Sequence, residues 1–225
     1  MNVAYCLTRN YYNKAAPSMR SLLEHNPDAR IYVIGETDDF PLPIYKIINI
    51  SGSDYLKKSG PNYNYMLSRI NFYRPIYADL IPEDKLIHMD ADTIICDDIT
   101  PLWDTDLSGK WYGAVPEYKG NFRPYGPIYY NMGVSVLNLA QMRQDDAPAQ
   151  LLHLINTSPL VYPDQDVFNM HVDKAVTVDV RYNETTVTGW TDNPAVVHYA
   201  GYTKWYDDKY MPRRAFLDKY IPPIE

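Results

Sequence analysis

The stretch that most constrains this chain is Lys85-Leu86-Ile87-His88-Met89, followed by Asp90-Ala91-Asp92 and then Thr93-Ile94-Ile95-Cys96. An apolar run of strand length stops at two carboxylates one residue apart, and a second short apolar run follows. Such a run reads as a strand buried on both faces of a parallel sheet. Open α/β sheets bind ligands at the carboxyl ends of their strands, which is where this run delivers its acids. Two carboxylates in one turn repel unless a cation or hydrogen-bond donors lie between them. Hard cations such as Mg²⁺ and Mn²⁺ take such oxygen ligands. The spacing alone decides little, because Asp-x-Asp recurs at Asp104/Asp106 and Asp164/Asp166. Only the Asp90 pair directly follows a strand-like run, so it is the candidate metal site; a solvated strand-end turn is the alternative.

The rest of the chain supplies the sheet that this stretch needs. Residues 2–7 read as a first strand. Residues 14–25 have helical spacing, with Ala15, Met19, Leu22 and Leu23 on one face. Asn26-Pro27-Asp28 ends that helix, and residues 30–35 are a second strand. This opening predicts a right-handed parallel crossover. Its first turn lacks Gly-x-Gly-x-x-Gly, so no dinucleotide cofactor is expected. A strand over 45–50, a loop over 51–64 and a helix over 65–80 carrying Arg69 and Arg74 come next. Residues 98–103 read as a short capped helix and 111–115 as a strand.

Residues 118–130, rich in Gly, Pro and aromatics, read either as a lid or acceptor-side loop or as a plain surface loop. Residues 130–139 run from a polar turn into a buried strand, with Gly133 allowing close approach of a ligand or backbone. A helix over 141–156 follows. Another opens at Asp164 after Pro163, where early carboxylates also suit helix capping. Late strands are expected at 176–180 and 195–199, the second ending near His198. The tail over 205–225 reads as a short helix or arm.

Composition narrows the function. The 225 residues suffice for one domain. A net charge of −7 without a Lys/Arg cluster argues against nucleic-acid binding. No stretch is long and apolar enough to span a membrane, and no signal-peptide pattern opens the chain. Cys6 and Cys96 both lie in strand-like runs and read as reduced core residues of a cytoplasmic protein. The 22 tyrosines suit sugar and base faces, and equally serve as half-buried filler.

Taken in order, Leu7-Thr8-Arg9-Asn10-Tyr11, Arg74, Met89-Asp90-Ala91-Asp92-Thr93, Asn131-Met132-Gly133-Val134, Asp164-Gln165-Asp166 and His198-Tyr199-Ala200-Gly201 with Lys204-Trp205 resemble one family. It is the retaining glycosyltransferases that include glycogenin and the bacterial lipooligosaccharide galactosyltransferases, glycosyltransferase family 8. The resemblance covers nearly the whole chain. It implies an α/β protein of the GT-A fold, a single Rossmann-like domain with a mixed, mostly parallel sheet flanked by helices. It also implies a UDP-sugar donor and a divalent cation, Mn²⁺ with Mg²⁺ as the alternative. By motif match, Asp90, Asp92 and His198 would hold the metal. Leu7, Thr8, Asn10, Tyr11 and Ala91 would surround the nucleoside, with Gly201 and Lys204 on the diphosphate. Arg74, Asn131, Met132, Asp164 and Gln165 would face the donor sugar. Gln165 and Asp164 are the catalytic candidates, stabilising positive charge during front-face attack. The acceptor would be a glycan, a lipid-linked sugar or a protein hydroxyl, and a homodimer is compatible with the sequence.

The chain departs from the family pattern in places. Thr8 stands where bacterial members often carry an acid, and Lys204-Trp205 lacks the usual intervening proline. His88 replaces a tyrosine or phenylalanine and is read as a core residue pointing away from the Asp90 side chain. Two other readings compete with this resemblance. One is a GT-A-like module that binds nucleotide sugar or glycan without transfer. The other is a haloacid dehalogenase-type phosphatase, which also uses strand-Asp-x-Asp but usually nearer the N-terminus.

Overall fold

The computed structural model describes residues 1–225 apart from 37, 41, 54, 65–68, 119–124, 202–215, 217, 218 and 221–225. Strand β1 (Asn2–Leu7), helix α1 (Tyr12–His25) and β2 (Arg30–Gly35) form the expected opening, with β1 and β2 parallel in register. β3 (Lys46–Asn49) and β4 (Lys85–Met89) flank them, β3 parallel to β2 and β4 parallel to β1. After β5 (Thr93–Ile95) and α3 (Thr100–Trp103) come β6 (Tyr112–Pro116), β7 (Tyr130–Asn138), β8 (Ala175–Thr177) and β9 (Val196–His198). Among the described residues, the main sheet has seven strands in the order β3-β2-β1-β4-β7-β6-β8. Only β7 runs against the others, pairing antiparallel with β4 and β6. β5 and β9 form a separate antiparallel pair.

Strand alternation divides the core. On β1, Val3, Tyr5 and Leu7 join one cluster with Ala15, Met19 and Leu22 of α1, while Ala4 joins the other. On β4, Ile87 and Met89 follow the first group and Leu86 the second. Both faces are covered, as a parallel sheet requires.

Several expectations change. Of the helix predicted over 65–80, residues 65–68 lie outside the described set, and Arg69–Ile76 is a 3₁₀ segment that becomes α-helical only at α2 (Tyr77–Leu80). Pro75 lies inside it and has no N–H to donate to an α-helical ladder. The helix predicted over 141–156 is two helices, α4 (Leu139–Gln144) and α5 (Ala147–Thr157). Asp146 between them takes φ 54°, and Pro148 opens the second helix, where its missing N–H costs nothing. Residues 130 and 131 belong to β7 rather than to a turn. The strand over 176–180 is confined to β8, followed by a 3₁₀ turn at Val180–Tyr182. Of the tail over 205–225, only residues 216, 219 and 220 are described, so the helix or arm expected there lies largely outside the described residues; Phe216 and Tyr220 pack against Ile94, Val197 and Tyr199.

Candidate active site

β4 ends at Met89, and the chain turns at Asp90-Ala91-Asp92 into β5. The turn is fixed by its backbone: the Asp90 N–H donates to the Gly133 carbonyl at 2.7 Å, and the Tyr199 N–H donates to the Asp92 carbonyl at 2.8 Å. Thr93 pairs with His198 across the β5–β9 ladder, which carries His198 back to the turn. As a result one ligand atom each from Asp90, Asp92 and His198 lies within 4.8 Å of the others. His198 Nε2 is 3.3 Å from Asp92 Oδ1 and 3.6 Å from Asp90 Oδ2. Its Nδ1 faces the Asn183 amide oxygen at 2.9 Å. That oxygen can only accept, so Nδ1 carries the proton and Nε2 presents a lone pair to the two carboxylates. Burial lowers the His198 pKa, which keeps the ring neutral. Two carboxylates and an available imidazole nitrogen form a donor set that fits Mn²⁺ or Mg²⁺.

Gly133 is the residue that makes this approach possible. A Cβ there would fall 2.1 Å from His198 Cε1 and 2.8 Å from Asp90 Oδ2. The β6–β7 register shifts between Ala114 and Val115, leaving Met132, Gly133 and Val134 outside the ladder to β6. Such a bulge re-aims a strand beside a site. The close approach expected at Gly133 is therefore that of the site's own side chains.

A third carboxylate, Asp164, comes from α6 (Pro163–Asn169). Arg74, buried, donates from Nη2 to Asp90 Oδ1 at 2.8 Å, and its Nη1 lies 3.2 Å from Asp164 Oδ2. Burial pushes the Asp90 carboxyl up, but Arg74 and the His88 ring outweigh it and hold the group well below the usual carboxylate range. Asp164 stays raised, since burial outweighs the help from Arg74. His88 is buried as expected, but it does not point away. Its Nε2 is 3.0 Å from Asp90 Oδ1. Residues i and i+2 leave a strand on the same side, so the strand-alternation expectation is corrected. Burial, followed by Arg74, drives the His88 pKa down to about 4.

From the metal cluster a buried polar chain runs to Gln165. The Asn183 amide donates to Asn131 Oδ1 at 2.9 Å, and the Asn131 amide donates to Glu117 Oε1 at 2.8 Å. Gln165 Nε2 reaches the same Glu117 oxygen at 3.4 Å, and Gln165 Oε1 accepts from the Met132 N–H at 3.0 Å. Burial raises the Glu117 pKa against these two donors. Sequence reasoning missed both Glu117 and Asn183. Glu117 carried a usable signal, an acid directly after a buried strand. Asn183 lies in a loop and carried none.

The remaining candidates divide. The Met132 side chain is core, so only its backbone reaches the site. Leu7 is likewise buried at the end of β1. Thr8 and Asn10 follow it, linked by a hydrogen bond from the Thr8 hydroxyl to Asn10 Oδ1. The Tyr11 ring carries the Lys14 ammonium 4.7 Å from its centroid. Because β1 pairs in parallel with β4, this turn shares the sheet edge with Ala91. Gly201 takes φ +71°, and Lys204 lies outside the described residues. Asp166 is not brought to the cluster. Its Oδ2 accepts from the N–H groups of Val161 and Tyr162, and the hydroxyls of Tyr125 and Tyr129 also donate to it.

Among the described residues, no helix is long and apolar enough to cross a membrane. Solved structures similar to this one include the galactosyltransferase LgtC in complex with donor and acceptor sugar analogues (TM-score 0.73, 19% identity, covering 100% of this chain and 98% of that one). Apo GlyE of Streptococcus pneumoniae also matches (TM-score 0.70, 19% identity, 99% of this chain and 60% of that one). Both share its architecture, the GT-A fold of a mixed, mostly parallel sheet flanked by helices. Among curated sequences, the glycosyltransferase GlyA of Streptococcus pneumoniae is 25% identical over 88% of this chain and 31% of its own length. GlyB of the same species is 24% identical over 92% and 52%. The chain thus spans from about a third to about half of these relatives. The family model for glycosyl transferase family 8 matches residues 2–209, which leaves the phosphatase alternative without support; the chain belongs to glycosyl transferase family 8.

Proposed function

We propose that this chain is a retaining glycosyltransferase domain over residues 1–225 that moves a hexose, glucose or galactose, from a UDP-sugar to a hydroxyl acceptor with Mn²⁺. The observation that carries the reading is the convergence of Asp90, Asp92 and His198 at one sheet edge. When bound there, the cation supplies Lewis-acid charge to the departing diphosphate. The chain's own residues do the rest. Asp90, Asp92 and His198 hold the cation, and the β1 turn at Thr8, Asn10 and Tyr11 receives the nucleoside. Gly201, with its left-handed backbone, and Lys204 receive the diphosphate. Arg74 grips Asp164 and orients its carboxyl group toward the donor sugar. Gln165 is fixed at both ends of its amide, by the Met132 N–H and by Glu117. An amide is a poor nucleophile, which favours front-face attack with Gln165 and Asp164 stabilising positive charge on the sugar. A sugar–enzyme adduct detected by mass spectrometry would count against that route.

The acceptor side is assigned to the tyrosine-bearing loops at 62–65 and 118–130, for a glycan, lipid-linked sugar or protein hydroxyl. Parts of both loops serve the fold: Asn62 donates to the Ile155 and Ser158 carbonyls, and Tyr125 and Tyr129 bind Asp166. Tyr118 is 63% exposed and is the better acceptor candidate. Cys6 and Cys96, whose thiols donate to the Ile70 and Ile94 carbonyls, are read as reduced residues of a cytoplasmic protein.

The test is UDP release from a panel of UDP-sugars with Mn²⁺ and no acceptor, comparing wild type with Asp92→Ala. Slow hydrolysis of one UDP-hexose, falling about 100-fold or more in the variant, is the expected result. UDP-sugar binding with neither hydrolysis nor transfer across a broad acceptor panel would instead support a binding module.

A further inference from the structure

We propose that Tyr77 and His88 are positioning residues that fix the rotation of the Asp90 carboxylate, so that Asp90 meets the metal through Oδ2 alone. The inference rests on the metal reading above. Asp90 Oδ1 receives two donors, Arg74 Nη2 at 2.8 Å and His88 Nε2 at 3.0 Å. A carboxylate oxygen offers about two in-plane acceptor sites, so Oδ1 is fully used within the protein. Oδ2 is the oxygen that faces His198 Nε2, and the backbone beneath it is pinned by the bond from the Asp90 N–H to the Gly133 carbonyl.

The hydrogen positions follow from the partners. Asp90 Oδ1 can only accept, so the proton on His88 lies on Nε2. His88 Nδ1 then holds a lone pair, and Tyr77 Oη lies 3.0 Å from it. The Tyr77 hydroxyl is therefore the donor, and the direction of the whole chain is set: Tyr77 O–H to His88 Nδ1, His88 Nε2–H to Asp90 Oδ1. Both rings are buried, at 0% and 1% exposure, so neither can exchange its partner for water. Tyr77 opens α2, directly after the 3₁₀ segment that carries Arg74. The two groups that hold Oδ1 thus both depend on residues 69–80, Arg74 as a member of that segment and His88 through Tyr77. A carboxylate held this way would offer the cation Oδ2 and keep Oδ1 for the protein.

Mn²⁺ affinity, measured by calorimetry and by the free-ion EPR signal without donor, tests this alongside melting temperature. His88→Phe keeps the ring and loses both hydrogen bonds; its affinity should fall about tenfold or more. His88→Gln restores a donor and an acceptor and should recover most of that loss. Tyr77→Phe should weaken Mn²⁺ binding by less than His88→Phe. Wild-type affinity in His88→Phe, or equal loss in His88→Phe and His88→Gln, overturns the proposal. Should His88→Phe fail to fold, Tyr77→Phe decides: unchanged Mn²⁺ affinity overturns the proposal, and weaker affinity at unchanged melting temperature supports it. Failure of the wild type to take up Mn²⁺, with or without UDP, overturns the metal reading and this inference together. Uptake by wild type and His88→Phe alike overturns this inference alone.

Discussion

Asp90-Ala91-Asp92 and Asp164-Gln165-Asp166 have the same spacing and opposite fates. The first pair lies in a turn between two strands, and both carboxylates meet His198. The second lies in the first turn of α6, where residues two apart point roughly 200° around the helix from one another. Asp164 therefore turns to Arg74, while Asp166 turns back to the Val161 and Tyr162 N–H groups that the helix start leaves open. A third pair, Asp104/Asp106, is exposed; Asp106 accepts from the Ser108 N–H and hydroxyl in a local turn. Local backbone geometry, not the Asp-x-Asp spacing, decides which carboxylates become a site.

The sharpest way to break this contrast is to exchange the roles within the second pair. Asp166→Ala removes the acceptor of two N–H groups and two tyrosine hydroxyls in a buried place. It should cost about 3 kcal/mol, or roughly 10 °C in melting temperature for a chain of this size. Asp164→Asn should move the melting temperature far less and abolish most UDP-sugar turnover. Equal thermal losses in the two variants would show that the division is wrong.

The next effect tests the first pair. Gly133→Ala drives a methyl into His198 and Asp90, so it should cost about 1–3 kcal/mol by overpacking and remove Mn²⁺ binding measured by calorimetry. Retained Mn²⁺ affinity would mean that the cluster can open without losing the ion.

A smaller, pH-dependent effect is expected at Glu117. Its folded pKa is raised, so as pH climbs through that window the unfolded chain releases this proton before the folded one does, and the wild type loses stability. Glu117→Gln does not ionise. Its melting temperature should equal or trail the wild type at pH values below the ordinary carboxylate range and gain on it as pH rises to neutral, while turnover falls because Gln165 and Asn131 lose their charged anchor. A stability difference flat across pH would refute the upward shift that burial gives Glu117. The smallest effect belongs to the third pair: Asp106→Ala should change stability by about 0.5 kcal/mol and leave UDP release intact.

Much of this was legible before any tertiary contact was known. The runs at 2–7, 30–35 and 85–89 became β1, β2 and β4, because strands buried on both faces must be continuously apolar. The Asp90 pair was marked by its place at the end of such a run. Breaks inside stretches of helical spacing are harder to see: the corner at Asp146 and the 3₁₀ geometry before Tyr77 depend on Pro148 and Pro75 acting within a packed context.

The sequence by itself determined the strands, the acids at their ends and the family pattern, since each depends on local periodicity and on residue order. Only the tertiary structure decided the partners. His88 joins Asp90 because β4 carries both to one side, and His198 reaches the turn because β9 pairs with β5, about a hundred residues downstream. The chain from Asn183 through Asn131 and Glu117 to Gln165 is drawn from four separate segments. No local pattern encodes such a chain, because buried polar groups find their partners only once packing has excluded water from around them.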